Sequence, residues 1–361
     1  MKRLFYKIFL ALNIFFAASL ILSYLAVHIN PDIFALPAFF GLAYPYLLLF
    51  NILFVIIWAL FLKFEALISV VVIAIGFTHF SNYLKISKPS GDKTGTFRIE
   101  SYNLRLFNYF ESKNTANSEK MILELLKNKQ AEVICLQEVY FTEDPRQKEK
   151  KILAAIGGNY YMHTKYIGSG KNRYYGIVTL SKFPIVKRGD IIHPASSSLS
   201  IFSDILIGKD TFRIFNNHLQ SFRLQRMERS FLRELTEASD DKETIDEIKT
   251  ISASLKNGFI RRAAQAKAVK LAIDNSLFPV IVAGDFNDTP VSYSYRKIRK
   301  GLFDAFVTSG YGAGFTYKGK YPPNRIDYIL YDNSLKCKQF DIVKVKYSDH
   351  YPIIAYFRKQ I

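Results

Sequence analysis

Eight polar side chains stand at or just beyond the ends of apolar runs, where buried strands would hold them rigidly. They carry carboxylate, carboxamide and imidazole groups, which bind cations and move protons. Oxygen ligands without a cysteine or histidine cluster favour Mg²⁺, Mn²⁺ or Ca²⁺ over zinc. The eight residues are Asn103, Glu138, His218, Asp285, Asn287, Asp327, Asp349 and His350.

The chemistry that this set favours is hydrolysis of a phosphoester. A divalent cation neutralises charge on a phosphate, and a histidine paired with a carboxylate can activate water. The chain has 49 Lys and Arg against 31 Asp and Glu, a formal net charge of +18. This basic balance suits any polyanionic substrate.

The elements that must position these residues follow the pattern of a layered α/β domain. Residues 97–102 alternate like a strand, and 133–136 and 279–283 are short buried strands. Apolar spacing predicts helices over 118–127 and about 258–274. Strands and helices both alternate and cluster, which favours a layered α/β domain over a helical bundle. The composition excludes a disordered chain, and two cysteines cannot build a disulfide framework.

Several of these motifs, in this order, resemble the endonuclease/exonuclease/phosphatase superfamily, which includes deoxyribonuclease I, apurinic endonucleases and neutral sphingomyelinases. The resemblance rests on Gln137-Glu138-Val139, Gly284-Asp285-Phe286-Asn287 and Ser348-Asp349-His350, and it covers nearly all of residues 97–357. It implies a four-layer α/β/β/α sandwich with two mixed sheets inside. It also implies a Mg²⁺-dependent hydrolase of phosphoester bonds.

The resemblance implies a metal site at three of the eight residues. Glu138 is expected to be the principal ligand of Mg²⁺, or of Mn²⁺, and Asn103 is expected to assist it. Asp349 is expected to be a second carboxylate near the metal.

The resemblance assigns catalytic roles to the other five residues. Asp327 is expected to orient and polarise His350, which makes that pair the general base for the attacking water. Asp285 is expected to place the nucleophile, and Asn287 to hold a phosphate oxygen. His218 is expected to donate a hydrogen bond or a proton to the phosphate.

Taken singly, some of these motifs have purely structural explanations. Asp327 also fits a buried ion pair with Arg325 or Arg105, and residues 284–288 also fit a simple turn. A different class of function is a non-catalytic membrane receptor or scaffold that uses a decayed hydrolase domain. That alternative predicts the loss of at least one principal catalytic residue, and all of them are present.

The first 84 residues have the composition of a membrane region. Between Ile8 and Leu62 the only formally charged residue is Asp32. A hydrocarbon core needs roughly 20 apolar residues per helical span. We therefore predict about three transmembrane helices within 1–84, a linker over 85–95 and a catalytic domain over 96–361. The spans are expected at about 5–28, 40–62 and 66–84.

The distribution of basic residues predicts the orientation of these spans. Lys2, Arg3 and Lys7 lie at the N-terminal end of the first span, and Lys63 lies in the second loop, so the N-terminus and this loop are expected in the cytoplasm. Three spans then place the catalytic domain on the periplasmic or extracellular side of the cell membrane. Three lysines that follow the third span oppose this orientation.

An insertion over residues 222–256 begins four positions after His218. Its apolar spacing predicts two helices, and the first of them carries an arginine stripe. The arginines fit either contacts with phosphates or anionic lipid, or a solvated face balanced by glutamates. The substrate stays open between nucleic acid, phospholipid and another phosphodiester.

Overall fold

A computed structural model of the chain describes residues 2–89, 92–109, 115–168, 172–193, 196, 198–221, 241–319 and 322–360. The chain divides into two compact units. The helical unit comprises Met1–Phe80, Gln220–Ala266 and Asp288–Lys297. The sheet unit comprises Ser81–Leu219, Lys267–Asn287 and Ile298–Ile361.

The sheet unit contains two mixed sheets of six strands each. Among the described strands of the first sheet, only the two central ones pair in parallel, and every other neighbouring pair is antiparallel. The spatial order is β13 (Leu335–Ile342), β14 (Ile353–Lys359), β2 (Phe97–Asn103), β3 (Val133–Phe141), β5 (Tyr174–Ser181) and β4 (Tyr161–Gly168).

The second sheet repeats this arrangement, because its two central strands pair in parallel and its other described pairs are antiparallel. The spatial order is β10 (Phe303–Asp304), β12 (Asp327–Tyr331), β9 (Val280–Asp285), β8 (Asp210–His218), β7 (Leu199–Ile207) and β6 (Ile185–Ile191). A parallel pair brings the carboxyl ends of two strands to the same edge. Both sheets therefore place two strand ends side by side at their centres.

One apolar core lies between the two sheets. Ile99 and Val133 of the first sheet pack in one cluster with Ile214, Ile281 and Ile329 of the second. Successive side chains of a strand point to opposite faces of its sheet, so only every second residue can enter this core. The outer face of the first sheet packs against helices α6 (Thr115–Lys129) and α7 (Pro145–Ile156). The predicted α/β sandwich with two mixed sheets is confirmed.

Smaller elements complete the sheet unit. Strand β1 (Leu84–Lys85) pairs with β11 (Gly312–Ala313), and a 3₁₀ turn covers Arg105–Asn108. Helix α9 (Tyr293–Arg299) begins in the helical unit, and α10 (Ala305–Ser309) packs its Phe306 into the core between the sheets.

Helix α8 (Asp241–Asp274) is one continuous helix of 34 residues. The sequence predicts a helix within the insertion and a separate one from about 258 to 274, and this division is wrong because one helix runs through Gly258. A single glycine inside a helix costs about 1 kcal/mol relative to alanine, which a long helix tolerates. Residues 222–240, with the arginine stripe of the insertion, lie outside the described residues.

The helical unit is built largely from apolar helices. Helix α1 (Lys2–Leu25) is long and apolar enough to cross a membrane. Helices α2 (Leu36–Leu42) and α3 (Tyr44–Leu60) reach that length only together, as one pair bent by 69°. Helix α4 (Ala66–Ile75) has 10 residues and covers about 15 Å, half of a hydrocarbon core of roughly 30 Å. Length and composition thus support one span clearly, rather than the three that we predicted. A short helix, α5 (Phe77–Phe80), follows α4.

A buried polar network joins three of these helices. Asn13 Nδ2 donates to Ser69 Oγ over 2.7 Å, and Ser69 Oγ donates to Asn51 Oδ1 over 2.8 Å. The Trp58 indole donates to Asn13 Oδ1 over 3.0 Å. Such bonds between apolar helices fix their mutual register.

Candidate active site

The second sheet places three of the predicted residues in one row. Register pairs His218 at the end of β8 with Asp285 at the end of β9. The same register pairs Asp285 with Asp327 at the start of the antiparallel β12. The three side chains are therefore neighbours although up to 109 residues separate them in the sequence, from 218 to 327.

The first sheet contributes Asn103 from the end of β2 and Glu138 from within β3. Register pairs Asn103 with Gln137, so Glu138 follows directly. The ladder between β3 and β5 shifts between Leu136 and Val139, and Glu138 has a φ of +54°. A left-handed conformation is uncommon outside glycine, and a bulge of this kind redirects a side chain.

Asn103 joins the residues of the two sheets. Its Nδ2 lies 2.9 Å from Asp285 Oδ2 and 3.3 Å from Glu138 Oε1, and it donates to both. Its Oδ1 accepts from the Arg105 backbone N–H over 2.9 Å. A carbonyl oxygen has two lone pairs, so this bond leaves capacity for a cation.

His218 lies between a carboxylate and a phenol. Its Nε2 is 3.3 Å from Glu138 Oε1, and its Nδ1 is 2.6 Å from the Tyr175 hydroxyl. Burial alone would lower the pKa of His218, but contact with Glu138 and the charge of Asp285 raise it above its usual value. Burial likewise opposes ionisation of Glu138, but His218 holds the pKa of that carboxyl below its usual value.

Asp327 and His350 form a buried pair. His350 Nδ1 lies 3.0 Å and 3.1 Å from the two Asp327 carboxylate oxygens. Asp327 is therefore the partner of His350, whereas Arg325 binds Asp304 over 2.5 Å and 2.6 Å. Burial opposes the charge of His350, but the carboxylates of Asp327 and Asp285 raise its pKa well above the usual value.

Asp285 lies at the centre of the candidate site. Its Oδ2 is 3.9 Å from His350 Nε2 and 3.9 Å from His218 Nε2. Burial, together with the charge of Asp327, raises the pKa of Asp285 to about 6. The Asn287 backbone N–H donates to Asp285 Oδ1 over 2.7 Å, and Asn287 Nδ2 donates to Asp285 Oδ2 over 3.1 Å.

Asp349 lies on the other side of His350. Its Oδ1 is 3.9 Å from His350 Nε2, and its Oδ2 is 3.1 Å from Arg105 Nε. Burial raises the pKa of Asp349, although the charges of His350 and Arg105 oppose that rise. The structure thus brings all eight predicted residues together in the sheet unit.

The residues present fit a divalent cation. Asp285, Asp327 and His350 are buried with ligand atoms within 4.8 Å of one another, but Asp327 and His350 already bind each other, which leaves the expected ligands to be found beside this cluster. Glu138 and Asn103 add oxygen atoms beside Asp285, and such a donor set suits a hard cation. Several buried carboxylates that crowd one position also repel one another, and a bound cation would relieve that repulsion.

Sequence reasoning missed the residues that support the eight. Thr316 Oγ1 accepts from the Asp327 backbone N–H over 3.1 Å, and Tyr175 and Arg105 contact His218 and Asp349. Gln137 Nε2 donates to Asn216 Oδ1 over 2.8 Å and joins the two sheets beneath the site. Gln137 belongs to one of the motifs on which the resemblance rests, and this is the one signal that the sequence offers for it.

A family model described as "Endonuclease/Exonuclease/phosphatase family" matches residues 101–350, from β2 to His350. The chain belongs to this family. Its members are phosphoester hydrolases and generally use divalent metals. A second model, described as "Domain of unknown function (DUF8431)", matches residues 6–83. No curated protein matches the chain.

Solved structures of family type share the fold at low sequence identity. A family protein from Leptotrichia buccalis is 17% identical with a TM-score of 0.53, covering 73% of this chain and 99% of its own. The human Nocturnin catalytic domain with bound sulfate is 19% identical with a TM-score of 0.53, covering 74% and 95%. A humanized D. rerio TDP2 is 15% identical with a TM-score of 0.54, covering 74% and 100%.

Proposed function

We propose that the chain is a membrane-anchored, Mg²⁺-dependent phosphoester hydrolase. The observation that carries the proposal is the buried Asp327–His350 pair, whose free Nε2 side faces Asp285 and Asp349. A structural ion pair would not need a histidine aimed at two further carboxylates. Family membership gives the same class of reaction.

Glu138, Asn103 and Asp349 are the residues that would hold the metal in this proposal. The bound cation would neutralise charge on the phosphate. Mn²⁺ has the same preference for oxygen ligands and is expected to substitute.

The residues of the chain would supply the proton transfer. His350 accepts a proton from water at Nε2 while Asp327 holds Nδ1–H and so fixes the tautomer. The carboxylates of Asp327 and Asp285 stabilise the imidazolium that forms. Asp285 places the water, and Asn287 Nδ2 is available to hold a phosphate oxygen once substrate displaces its bond to Asp285.

His218 would act on the other side of the phosphate. Its Nδ1 bond to the Tyr175 hydroxyl leaves Nε2 directed at Glu138 and Asp285. Contact with Glu138 and the charge of Asp285 raise the pKa of His218, which favours the protonated ring that would donate to the phosphate.

The substrate class that we propose is a phosphodiester of nucleic acid or of a lipid head group. The net charge of +18 suits nucleic acid or an anionic lipid head group, and a membrane anchor favours the lipid. A hydrolysis screen of the intact protein in detergent with Mg²⁺ tests this, using DNA, RNA, sphingomyelin, phosphoinositides and model diesters. The matched control is His350→Ala. No hydrolysis of any substrate would favour the receptor or scaffold alternative.

The membrane placement is part of the same proposal. With Lys2, Arg3 and Lys7 in the cytoplasm, one or three crossings put the sheet unit on the periplasmic or extracellular side. Two crossings, with the bent pair α2–α3 as the second, would keep it in the cytoplasm. Helix α1, as the one clear span, supports the outer location.

A further inference from the structure

The segment Asp288–Ser292, which we call the loop segment, follows Asn287 directly and belongs to the helical unit. Asp288 and Thr289 are buried. Two different elements of the helical unit hold them. The Thr289 hydroxyl donates to the Gly41 carbonyl of α2 over 3.2 Å, and Arg262 Nε of α8 donates to Asp288 Oδ2 over 3.1 Å.

The contact with α2 depends on a glycine. A Cβ added at Gly41 would overlap the Val291 carbonyl oxygen and lie 2.7 Å from Ala26 Cβ. The backbone of α2 therefore approaches the backbone of the loop segment more closely than any other residue type would allow. Beside this contact, the rings of Phe39 and Phe259 meet edge to face with centroids 5.2 Å apart.

The contact with α8 reaches two segments at once. The Arg262 side chain is fully buried, and its Nη1 donates to the Gln220 carbonyl over 2.8 Å. Gln265 Oε1 accepts from the Gln220 backbone N–H over 2.9 Å. Gln220 stands two residues after His218, so one helix fixes the chain shortly beyond both His218 and Asn287.

Asn287 needs such support because of its backbone. Its φ is +52°, in the left-handed region, which asparagine adopts more readily than most non-glycine residues but less readily than glycine. Conformations of this kind persist where the surroundings hold the chain on both sides. Upstream, Asp285 Oδ1 accepts the Asn287 N–H over 2.7 Å, and downstream the loop segment is held by α2 and α8.

We propose that Thr289 and Gly41 are positioning residues for Asn287, so that the apolar N-terminal region supports the chemistry as well as anchoring the protein. Arg262 of α8 holds the same loop segment through its bond to Asp288. The inference rests on the proposed function, because Asn287 is the residue proposed to hold a phosphate oxygen. The inference goes beyond the proposed function because it predicts that a contact made by α2 affects kcat.

The matched variants are Thr289→Val, which removes the hydroxyl at nearly the same volume, and Thr289→Ser, which keeps it. Loss of one buried hydrogen bond predicts about a fivefold to tenfold fall in kcat for Thr289→Val, with KM little changed. Thr289→Ser should retain the wild-type kcat. In an Asn287→Ala background, Thr289→Val should cause no further loss, since it acts through Asn287. An unchanged kcat, or a loss that multiplies with Asn287→Ala, overturns the proposal.

Backbone hydrogen exchange of the intact protein in detergent gives a readout that needs no activity. Thr289→Val should speed exchange in the peptide that contains Asn287, and Thr289→Ser should match the wild type. Exchange in the peptide that covers β2 should be the same as in the wild type for both variants. Unchanged exchange at Asn287, or faster exchange throughout the chain, overturns the proposal. If Thr289→Val fails to fold, Gly41→Ala disturbs the same contact from α2 and is judged by the same peptides. A wild type that hydrolyses no phosphoester would overturn the proposed function, while the exchange result would still decide the positioning.

Discussion

His350 Nδ1 lies 3.0 Å from Asp327 Oδ2, and both side chains are buried. An ionised carboxylate only accepts hydrogen bonds, so this contact puts a proton on Nδ1. In the neutral ring Nε2 is then the acceptor, and it lies 3.9 Å from carboxylate oxygens of both Asp285 and Asp349. The pair therefore presents a basic nitrogen to the centre of the site.

This relationship predicts that Asp327 and His350 act as one unit. His350→Ala and Asp327→Asn should each lower kcat by about 10²-fold or more. The double variant should be little worse than His350→Ala alone, because groups that act together are not additive. Steady-state kinetics of the four proteins check this. Losses that multiply in the double variant would show that the two residues do not form a functional pair.

A second prediction concerns Glu100 on β2, away from the candidate site. Its side chain is fully buried, and neither carboxylate oxygen has a hydrogen-bond partner within the described residues. Burial raises the pKa of Glu100 from 4.5 to about 8, although the charges of Lys129 and Arg98 oppose the rise. Between these values the folded protein keeps a proton that the unfolded chain has released.

Stability must then fall as the pH rises from 4.5 to about 8, by a few kcal/mol. Glu100→Gln removes the ionisation at nearly the same volume. It should raise the thermal unfolding midpoint near the upper end of this window and change it little near the lower end. Parallel pH profiles for the wild type and Glu100→Gln would contradict the assignment. Glu124→Gln on the exposed face of α6 serves as the control.

The location of the sheet unit is open to a direct test. Alkaline phosphatase and green fluorescent protein fused after Ile361 report opposite sides of the membrane. We expect phosphatase activity without fluorescence, because an odd number of crossings puts the C-terminus outside. Fluorescence without phosphatase activity would indicate two crossings, with α2 and α3 as the second, and a cytoplasmic sheet unit.

The sequence predicts central strands better than edge strands. Residues 133–136 and 279–283 were recognised because both faces of β3 and β9 are buried, which requires continuous apolar runs. Strands β4 and β6 were missed, and each lies at an edge of its sheet with many partly or fully exposed side chains. Edge strands carry polar residues that weaken the alternation on which a strand prediction depends.

The same distinction applies to the site. All eight polar residues could be found from the sequence because each follows or begins an apolar run. Their partners could not, since Tyr175 meets His218 across 43 residues and Arg105 meets Asp349 across 244. The predicted third span, at about 66–84, is too long, because hydropathy does not show that α4 ends at Ile75.

Metal dependence of the intact protein tests the central claim most directly. The protein is purified in detergent, stripped with a chelator, and assayed on a model phosphodiester before and after Mg²⁺ or Mn²⁺ is added. We predict loss of turnover on stripping and recovery with either ion. Glu138→Gln should recover about 10²-fold less activity and bind Mg²⁺ more weakly by calorimetry. Full turnover by rigorously metal-free protein would contradict the account.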